Sequence, residues 1–264
     1  MANIKTIGLV GYGNLGKIIA NGIEDKLFES YKIIGIYDEY ADLAENKACI
    51  GSLAELLSLK PDIIIEAATV QALRQIALPA MEGGADIIAL SSGAFADKAF
   101  YDKIDFCAKE HGRKFYVVSG AIGGFDIMQA AAFFDDVNAS ITTVKSPASL
   151  EGAPHIEGKP LNTSEAELIF TGNTNEAIEA FPKNVNVAVA MSLAAECFNN
   201  ATVKVISDPQ ATSNEHTIHI ENDLVKAAIQ VNALPSKENK RSSALAAYSV
   251  LAKLKNLASG ISLC

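Results

Sequence analysis

Over the first 120 positions, apolar residues come in short, unbroken, β-branched runs rather than in strict alternation with polar ones. IKTIGLV (4–10), KIIGIYD (32–38), DIIIEAA (62–68), ADIIALS (85–91) and KFYVVSG (114–120) each read as a strand buried on both faces, as in a parallel sheet covered by helices. Between them, LGKIIANGIEDK, SLAELLSL, VQALRQIALPAMEGG and ADKAFYDKIDFCAKEHG place apolar residues three and four apart. Gly83-Gly84 and His111-Gly112 end two of these segments in glycine-bearing turns. Strand and helix in alternation predict right-handed βαβ units wound into a parallel sheet.

The rhythm changes after about residue 120. SITTVKSP (140–147), AELIFTGN (166–173), TVKVISD (202–208), EHTIHIE (215–221) and LVKAAIQVNA (224–233) follow one another as strands with fewer helices between them. They predict a second, mixed or antiparallel sheet, interrupted by one long helix at VNVAVAMSLAAECFNN (185–200). A last amphipathic segment, SALAAYSVLAKLKNLAS, is expected to pack back on the first domain. The predicted fold class is α/β: a doubly wound parallel sheet over 1–120, a second α+β domain over 121–235, and a C-terminal helix within 236–264.

Bulk composition narrows the partners. The chain has 264 residues, 49% hydrophobic and 20% charged, the profile of a compact folded protein. Its net charge of −9 gives no electrostatic footprint for nucleic acid or an anionic membrane surface, which favours a small-molecule partner. Cys49, Cys107, Cys197 and Cys264 are scattered, with no CxxC pair and no histidine at ligand spacing, so neither a disulfide framework nor a metal site is predicted. The start, MANIKTIGLV, has no basic region leading into a long apolar run, and no stretch is long enough to span a bilayer. The expected setting is cytoplasmic.

Chemistry first enters at GLVGYGNLG, which follows the first strand and opens a helix. In a dinucleotide fingerprint Gly11 permits the tight turn, Gly13 admits a pyrophosphate and Gly16 allows close helix packing, with Asn14 and Leu15 in the same loop at the helix N-terminus. Asp38 lies 22 residues beyond Gly16 at the end of the second strand, placed to accept hydrogen bonds from an adenosine ribose and to repel a 2′-phosphate. This predicts a Rossmann domain that binds NAD, with NADP still compatible. EAAT (66–69), SSGAFA (91–96) and SGAIGGFD (119–126) end later strands and are expected to line the same crevice. Small residues there (Ala67, Ala68, Ser91, Ser92, Gly93) would let a nicotinamide and its ribose approach the backbone, although plain βα-loop chemistry also favours them. Asn184 and Asn186 straddle the entry to the apolar helix; capping accounts for one, leaving the other for a ligand carboxamide or carboxylate.

SNEHTIHIEN (213–222) sets two histidines three residues apart on a strand, so their rings point opposite ways. Asn214, His216, Ile218 and Ile220 share the face predicted to be buried; Glu215, Thr217, His219 and Glu221 share the solvent face. A buried imidazole must find hydrogen-bond partners, and His216 reads either as a satisfied core histidine or as an acid/base group. A nucleotide-binding half in front of it favours the second. Asp208 is expected beside Asn214 and His216 in one hairpin-like unit, and Asn214 could orient the ring or bind a carboxylate. His111 and His155 fall in turn and loop contexts that suggest no mechanism.

GYGNLG, ALSSGAFAD, VVSGAIGGFD, FPKNVNVAVAMSLA and DPQATSNEH, in this order, together resemble the L-aspartate dehydrogenase family, and SSALAAYSVLA near the C-terminus is also similar. The resemblance implies a homo-oligomer, often a dimer, whose second domain carries substrate, catalysis and dimerisation. It implies oxidation of L-aspartate with NAD or NADP to iminoaspartate, which hydrolyses to oxaloacetate and ammonia or feeds NAD biosynthesis. It places the active-site histidine at His216 and dinucleotide contacts at Ala121 and Asn186, besides the glycine loop. Where the family has a basic, proline-rich strand end, this chain reads KSPASLEG. A dicarboxylate needs cationic or amide donors, and Lys145, Lys183, Arg74 and Arg241 are the candidates. Two further readings stay open: a reductase or dehydrogenase of another imine, amino acid or keto acid, and a dinucleotide-binding regulatory protein without turnover.

Overall fold

The structure, a computed structural model, describes residues 4–40, 46, 48–182, 186–234 and 243–262. The chain divides into two compact units, Met1–Val118 together with Ala246–Cys264, and Ser119–Leu245. Among the described residues, each is built on a five-stranded sheet.

In the first unit β1 (Lys5–Val10), β2 (Tyr31–Tyr37), β3 (Ile63–Glu66), β4 (Asp86–Ala89) and β5 (Phe115–Val117) run parallel in the order β2-β1-β3-β4-β5. Ile36 of β2 also bridges in parallel to Cys49 and exchanges backbone hydrogen bonds with Ala48 and Ile50, at 2.8 and 2.9 Å. Counting that bridge as the third strand gives the Rossmann order 3-2-1-4-5-6, with the third strand cut to a stub. The all-isoleucine run of β3 is buried along its length, while the edge strand β5 is half-buried. Helices α1 (Asn14–Lys26), α2 (Leu53–Ser58), α3 (Val70–Glu82) and α4 (Lys98–His111) connect the strands. Caps set where several of these begin: Ser52, Thr69 and Asp97 each accept a first-turn amide of the following helix.

The C-terminal helix, Ala244–Ala258, returns to this unit. Ala247, Val250, Leu251 and Leu254 join Ile19 and Ile23 of α1 in one core, and the Tyr31 hydroxyl donates to the Leu254 carbonyl at 2.8 Å. The approach demands a glycine on α1, since a Cβ at Gly22 would overlap the Leu251 side chain.

The second unit carries α5 (Phe125–Phe134), β6 (Asn138–Lys145), α6 (Pro147–Leu150), β7 (Glu167–Gly172), α7 (Thr174–Ala180), α8 (Asn186–Ala194), β8 (Thr202–Ser207), β9 (Asn214–Glu221) and β10 (Lys226–Ala233). Its sheet order is β10-β9-β6-β8-β7, with β6 and β8 parallel and the other pairs antiparallel. One face buries Ile141, Val203, Val205, Ile218 and Ile220 against Met128, Ala131, Ala177, Phe181, Ala188 and Met191.

The second half departs from the sequence expectation in three ways. The apolar helix ends at Ala194 rather than near 200, because Glu196 takes a left-handed φ of 50° and the Cys197 amide turns back to the Ser192 carbonyl. Helices α5 and α7 lie in a region read as strand-rich, the latter started by a capping box of Asn173 and Glu176. Finally, β8 and β9 do not form a hairpin, because β6 runs between them.

Leu254 is fully buried, so Leu254→Ala should lower stability by about 3 kcal/mol. Urea unfolding followed by circular dichroism checks this; a loss below about 1 kcal/mol would mean the C-terminal helix is not part of the cooperative core.

Candidate functional site

At the carboxyl end of β1, three glycines meet three different demands. Gly11 has a φ of 96°, and a Cβ there would stand 2.6 Å from the Ala67 carbonyl oxygen. At Gly16 any side chain would overlap the Gly11 carbonyl. Gly13 packs against nothing, since an added Cβ would meet no atom within 4 Å. This open approach lies at the N-terminus of α1, where the direction of the helix dipole favours a phosphate. Asp38 accepts the Tyr12 amide at 2.6 Å and the Tyr40 amide at 2.8 Å, which fixes its carboxylate beside the glycine loop. Each carboxylate oxygen keeps capacity for a ribose hydroxyl. Turn, opening and acceptor together fit a dinucleotide.

Glu66, at the end of β3, is fully buried. It accepts the Ala68 amide at 2.8 Å, the Ser91 amide at 3.0 Å and the Ser91 hydroxyl at 2.8 Å. Burial pushes its pKa up, and these hydrogen bonds pull against that. The carboxylate thus ties the loops after β3 and β4 together, and it uses the hydroxyl of Ser91 to do so.

In the second unit, three adjacent strands turn from apolar to polar on the same inner face. Ile141 gives way to Thr143 and Lys145 on β6, Val203 and Val205 to Ser207 on β8, and Ile220 and Ile218 to His216 and Asn214 on β9. Because β8 is parallel to β6 and β9 antiparallel, the polar members collect at one end, with Thr143 paired to His216 and Lys145 to Ser207. Thr143 Oγ1 lies 3.0 Å from His216 Nδ1. His216 is 3% exposed, and burial together with the Lys145 ammonium holds its pKa down to about 3, so the ring is neutral. Lys145 is 7% exposed, and burial lowers its pKa to about 8. Among the described residues no hydrogen bond or ion pair reaches its ammonium, and Ser207 Oγ, wholly buried, is likewise without a partner.

The predicted residues therefore fall into two sets. Gly11, Gly13, Asn14, Leu15, Gly16, Asp38, Ala67, Ala68 and Ser91 belong to the first unit; Ala121, Asn186, Asn214 and His216 belong to the second. Ala121 lies in the loop before α5, Asn186 opens α8, and Asn214 and His216 share the inner face of β9 while His219 is exposed on the other. Asp208 is not a neighbour of His216 across a hairpin; its carboxylate accepts the Gln210 amide at 2.8 Å and shapes the turn after β8. Arg74 is committed elsewhere, to Asp97 at 2.9 Å and the Ala94 carbonyl at 3.3 Å. Lys183, Asn184 and Arg241 lie outside the described residues. His155 is structural, its Nε2 donating to the Ile169 carbonyl at 3.0 Å and its ring packed against Phe170 and Phe181.

Thr143, Ser207 and Glu66 escaped the sequence reading. Their signal was present: Ile141-Thr143-Lys145 and Val203-Val205-Ser207 break an inward apolar series with polar residues, and Glu66 closes an isoleucine run. Among the described residues, no group of side chains could hold a metal ion, and no helix is long and apolar enough to cross a membrane.

Comparison with known proteins covers the whole chain. Residues 126–257 match the family model described as aspartate dehydrogenase, C-terminal, and residues 11–118 match the NAD binding domain of homoserine dehydrogenase. The L-aspartate dehydrogenase of Methanocaldococcus jannaschii is 34% identical over 260 residues, covering 96% of each chain. That of Methanosarcina barkeri is 36% identical over 266 residues, covering 97% of each. The crystal structure of the Thermotoga maritima aspartate dehydrogenase superposes with a TM-score of 0.78 at 26% identity, over 99% of this chain and all of that one. A hyperthermophilic archaeal homoserine dehydrogenase in complex with NADPH shares the fold at 15% identity, with a TM-score of 0.60 over 96% of this chain and 98% of that one.

Two predictions follow from the two sets of residues. Gly13→Ala should leave the thermal midpoint within about 2 °C of wild type, because nothing packs there, yet weaken dinucleotide binding at least about tenfold; calorimetry of unfolding and of binding separates the two. Lys145 falls from 10.5 to about 8 on burial, so its unfolded form binds the extra proton between those values and stability rises with pH across that window. Lys145→Met should therefore be more stable than wild type by about 3 kcal/mol near pH 7, the gap closing by about pH 10.5. A pH-independent gap in paired urea titrations would contradict this.

Proposed function

Because the chain belongs to the L-aspartate dehydrogenase family, we propose that it catalyses the oxidative deamination of L-aspartate: L-aspartate, NAD⁺ and water give oxaloacetate, ammonium, NADH and a proton. The observation that carries this reading is the neutral, buried imidazole of His216 in a polar cluster with a free ammonium, amide and hydroxyl. In this reading the dinucleotide contacts are Gly11, Gly13, Asn14, Leu15, Gly16, Asp38, Ala67, Ala68 and Ser91, and also Ala121 and Asn186. The Ser91 hydroxyl and amide both already donate to Glu66, so its share is through the carbonyl. Asp38 favours NAD over NADP, since a 2′-phosphate would meet its carboxylate.

When bound, the nicotinamide takes up a hydride from the substrate α-carbon. The residues of this chain manage the protons around that event. The amine must first lose a proton so that its lone pair can form the C=N bond. His216 is the base, acting in the tautomer whose Nδ1–H donates to Thr143 Oγ1, 3.0 Å away, and whose Nε2 carries the lone pair. After that first proton has passed to solvent as the one released in the overall reaction, the same ring takes a proton from the water that attacks the imine carbon and returns it to the departing nitrogen. Asn214, two residues along the same face, is placed to hold the substrate by its amide.

This reading carries homodimeric or higher homo-oligomeric assembly and work in the cytoplasm. The buried, unbridged thiols of Cys107 and Cys197 suit a reducing compartment.

The test is the appearance of reduced nicotinamide with NAD⁺ and a panel of amino acids. L-Aspartate should be the preferred substrate. His216→Ala should lower kcat by about a hundred- to ten-thousandfold with dinucleotide affinity unchanged. Turnover with other substrates only would replace aspartate, and tight NAD⁺ binding without any turnover would make the chain a binding protein.

A further inference from the structure

Lys145 is buried as a residue and Ser207 Oγ is wholly buried, and among the described residues neither the ammonium nor the hydroxyl has a hydrogen-bond partner. They sit on adjacent strands as a registered pair of the parallel β6–β8 ladder, on the face that also carries His216. A buried ammonium is retained only where it serves some function, since an apolar residue of similar volume would be more stable there. Two unsatisfied donors on neighbouring strands, one of them cationic, present the complement of a carboxylate. We propose that Lys145 and Ser207 form the carboxylate subsite for the dicarboxylate, and that a carboxylate seated there is what allows His216 to take up a proton. The proposal rests on the reading of the chain as an aspartate-oxidising enzyme and deepens it.

The charge argument is local. Lys145 stands two residues along β6 from Thr143, and Thr143 holds the His216 ring. Protonating His216 would set a second buried cation beside the first. Among the described residues of the surrounding elements no other charge offsets it: the Asp208 amide donates to the Lys145 carbonyl at 2.9 Å, but its carboxylate accepts the Gln210 amide. The Glu215 and Glu221 side chains of β9 lie on the opposite face, and β10 sets Val231 and Ala233 against His216 and Asn214. Helix α8, which packs on β6, has no titratable residue, and Asp126 of α5 is exposed. A substrate carboxylate on Lys145 changes the local charge by one and makes the imidazolium tolerable. A ligand without that carboxylate leaves the base unable to accept its proton, so the pair selects substrates at the proton-transfer step as well as at binding.

The experiment uses the full chain with NAD⁺ bound and succinate as probe, a dicarboxylate that has no amine to oxidise. Histidine side chains are followed by NMR through a pH titration, with His216→Ala assigning the resonance. Saturating succinate should move the His216 titration upward by at least about one pH unit. Lys145→Gln should raise the His216 titration in the absence of succinate and abolish the succinate-dependent rise. Ser207→Ala should weaken succinate about tenfold or more and leave NAD⁺ binding unchanged. A wild-type circular dichroism spectrum and a cooperative urea transition show that each variant is folded, and Lys145→Met serves as the second variant should Lys145→Gln fail that check. Succinate that does not bind wild type, binds Lys145→Gln equally well, or leaves the His216 titration in place overturns the proposal. L-Aspartate turnover by wild type is read in parallel: its absence sinks the dehydrogenase assignment, whereas succinate binding and the His216 titration judge the subsite alone.

Discussion

The second unit depends on one arrangement: a lysine and a histidine carried to the same buried end of a sheet with a threonine between them. Each polar side chain there is costly, and the ammonium most of all, because no carboxylate among the described residues neutralises it. The surrounding apolar rows of Ile141, Val203, Val205, Ile218 and Ile220 hold the strands in register and keep the layer dry. Register is what makes the layer possible. A slip of one residue on β9 would swing His216 to the outer face and bring Glu215 inward.

The first unit solves a different problem, the close approach of backbone to an anionic ligand. Gly11 and Gly16 are demanded by the protein itself, through a left-handed turn and a helix start that touches the turn. At Gly13 an added Cβ would meet no described atom within 4 Å, which leaves the approach to the N-terminus of α1 open. Behind the loop, the buried Glu66 carboxylate fixes the peptides of Ala68 and Ser91. A carboxylate can bridge two loops in this way because it accepts several hydrogen bonds at once, a capacity no apolar or hydroxyl side chain has.

Electrostatics link stability to chemistry in the polar layer. Burial and the lysine charge hold His216 far below its ordinary range, which keeps the imidazole neutral across the working pH. Neutrality is the state a base requires. The same depression makes the ring a poor proton acceptor, and only a change in the charge around Lys145 relieves that. On the proposed mechanism, the strength of His216 as a base is then set by that local charge, because burial limits solvent screening.

Much of this was legible in the residues. Continuous isoleucine runs, the glycine spacing and Asp38 specify a parallel sheet and a phosphate-binding turn because those patterns are local, set by neighbours along the chain. The period of two in SNEHTIHIEN likewise placed His216 inward and His219 outward. The tertiary structure alone decided the partners. No local signal reveals that β6 inserts between β8 and β9, since strand order depends on which edges pair after collapse. That insertion is what replaces Asp208 with Thr143 beside His216 and brings Lys145 and Ser207 together. Arg74 and Ser91 show the same limit: their types suggested ligand contacts, but whether a donor is free depends on residues distant in sequence, Asp97 for one and Glu66 for the other. Side-chain chemistry and facing are properties of a segment, whereas solvent exclusion and pairing belong to the packed whole.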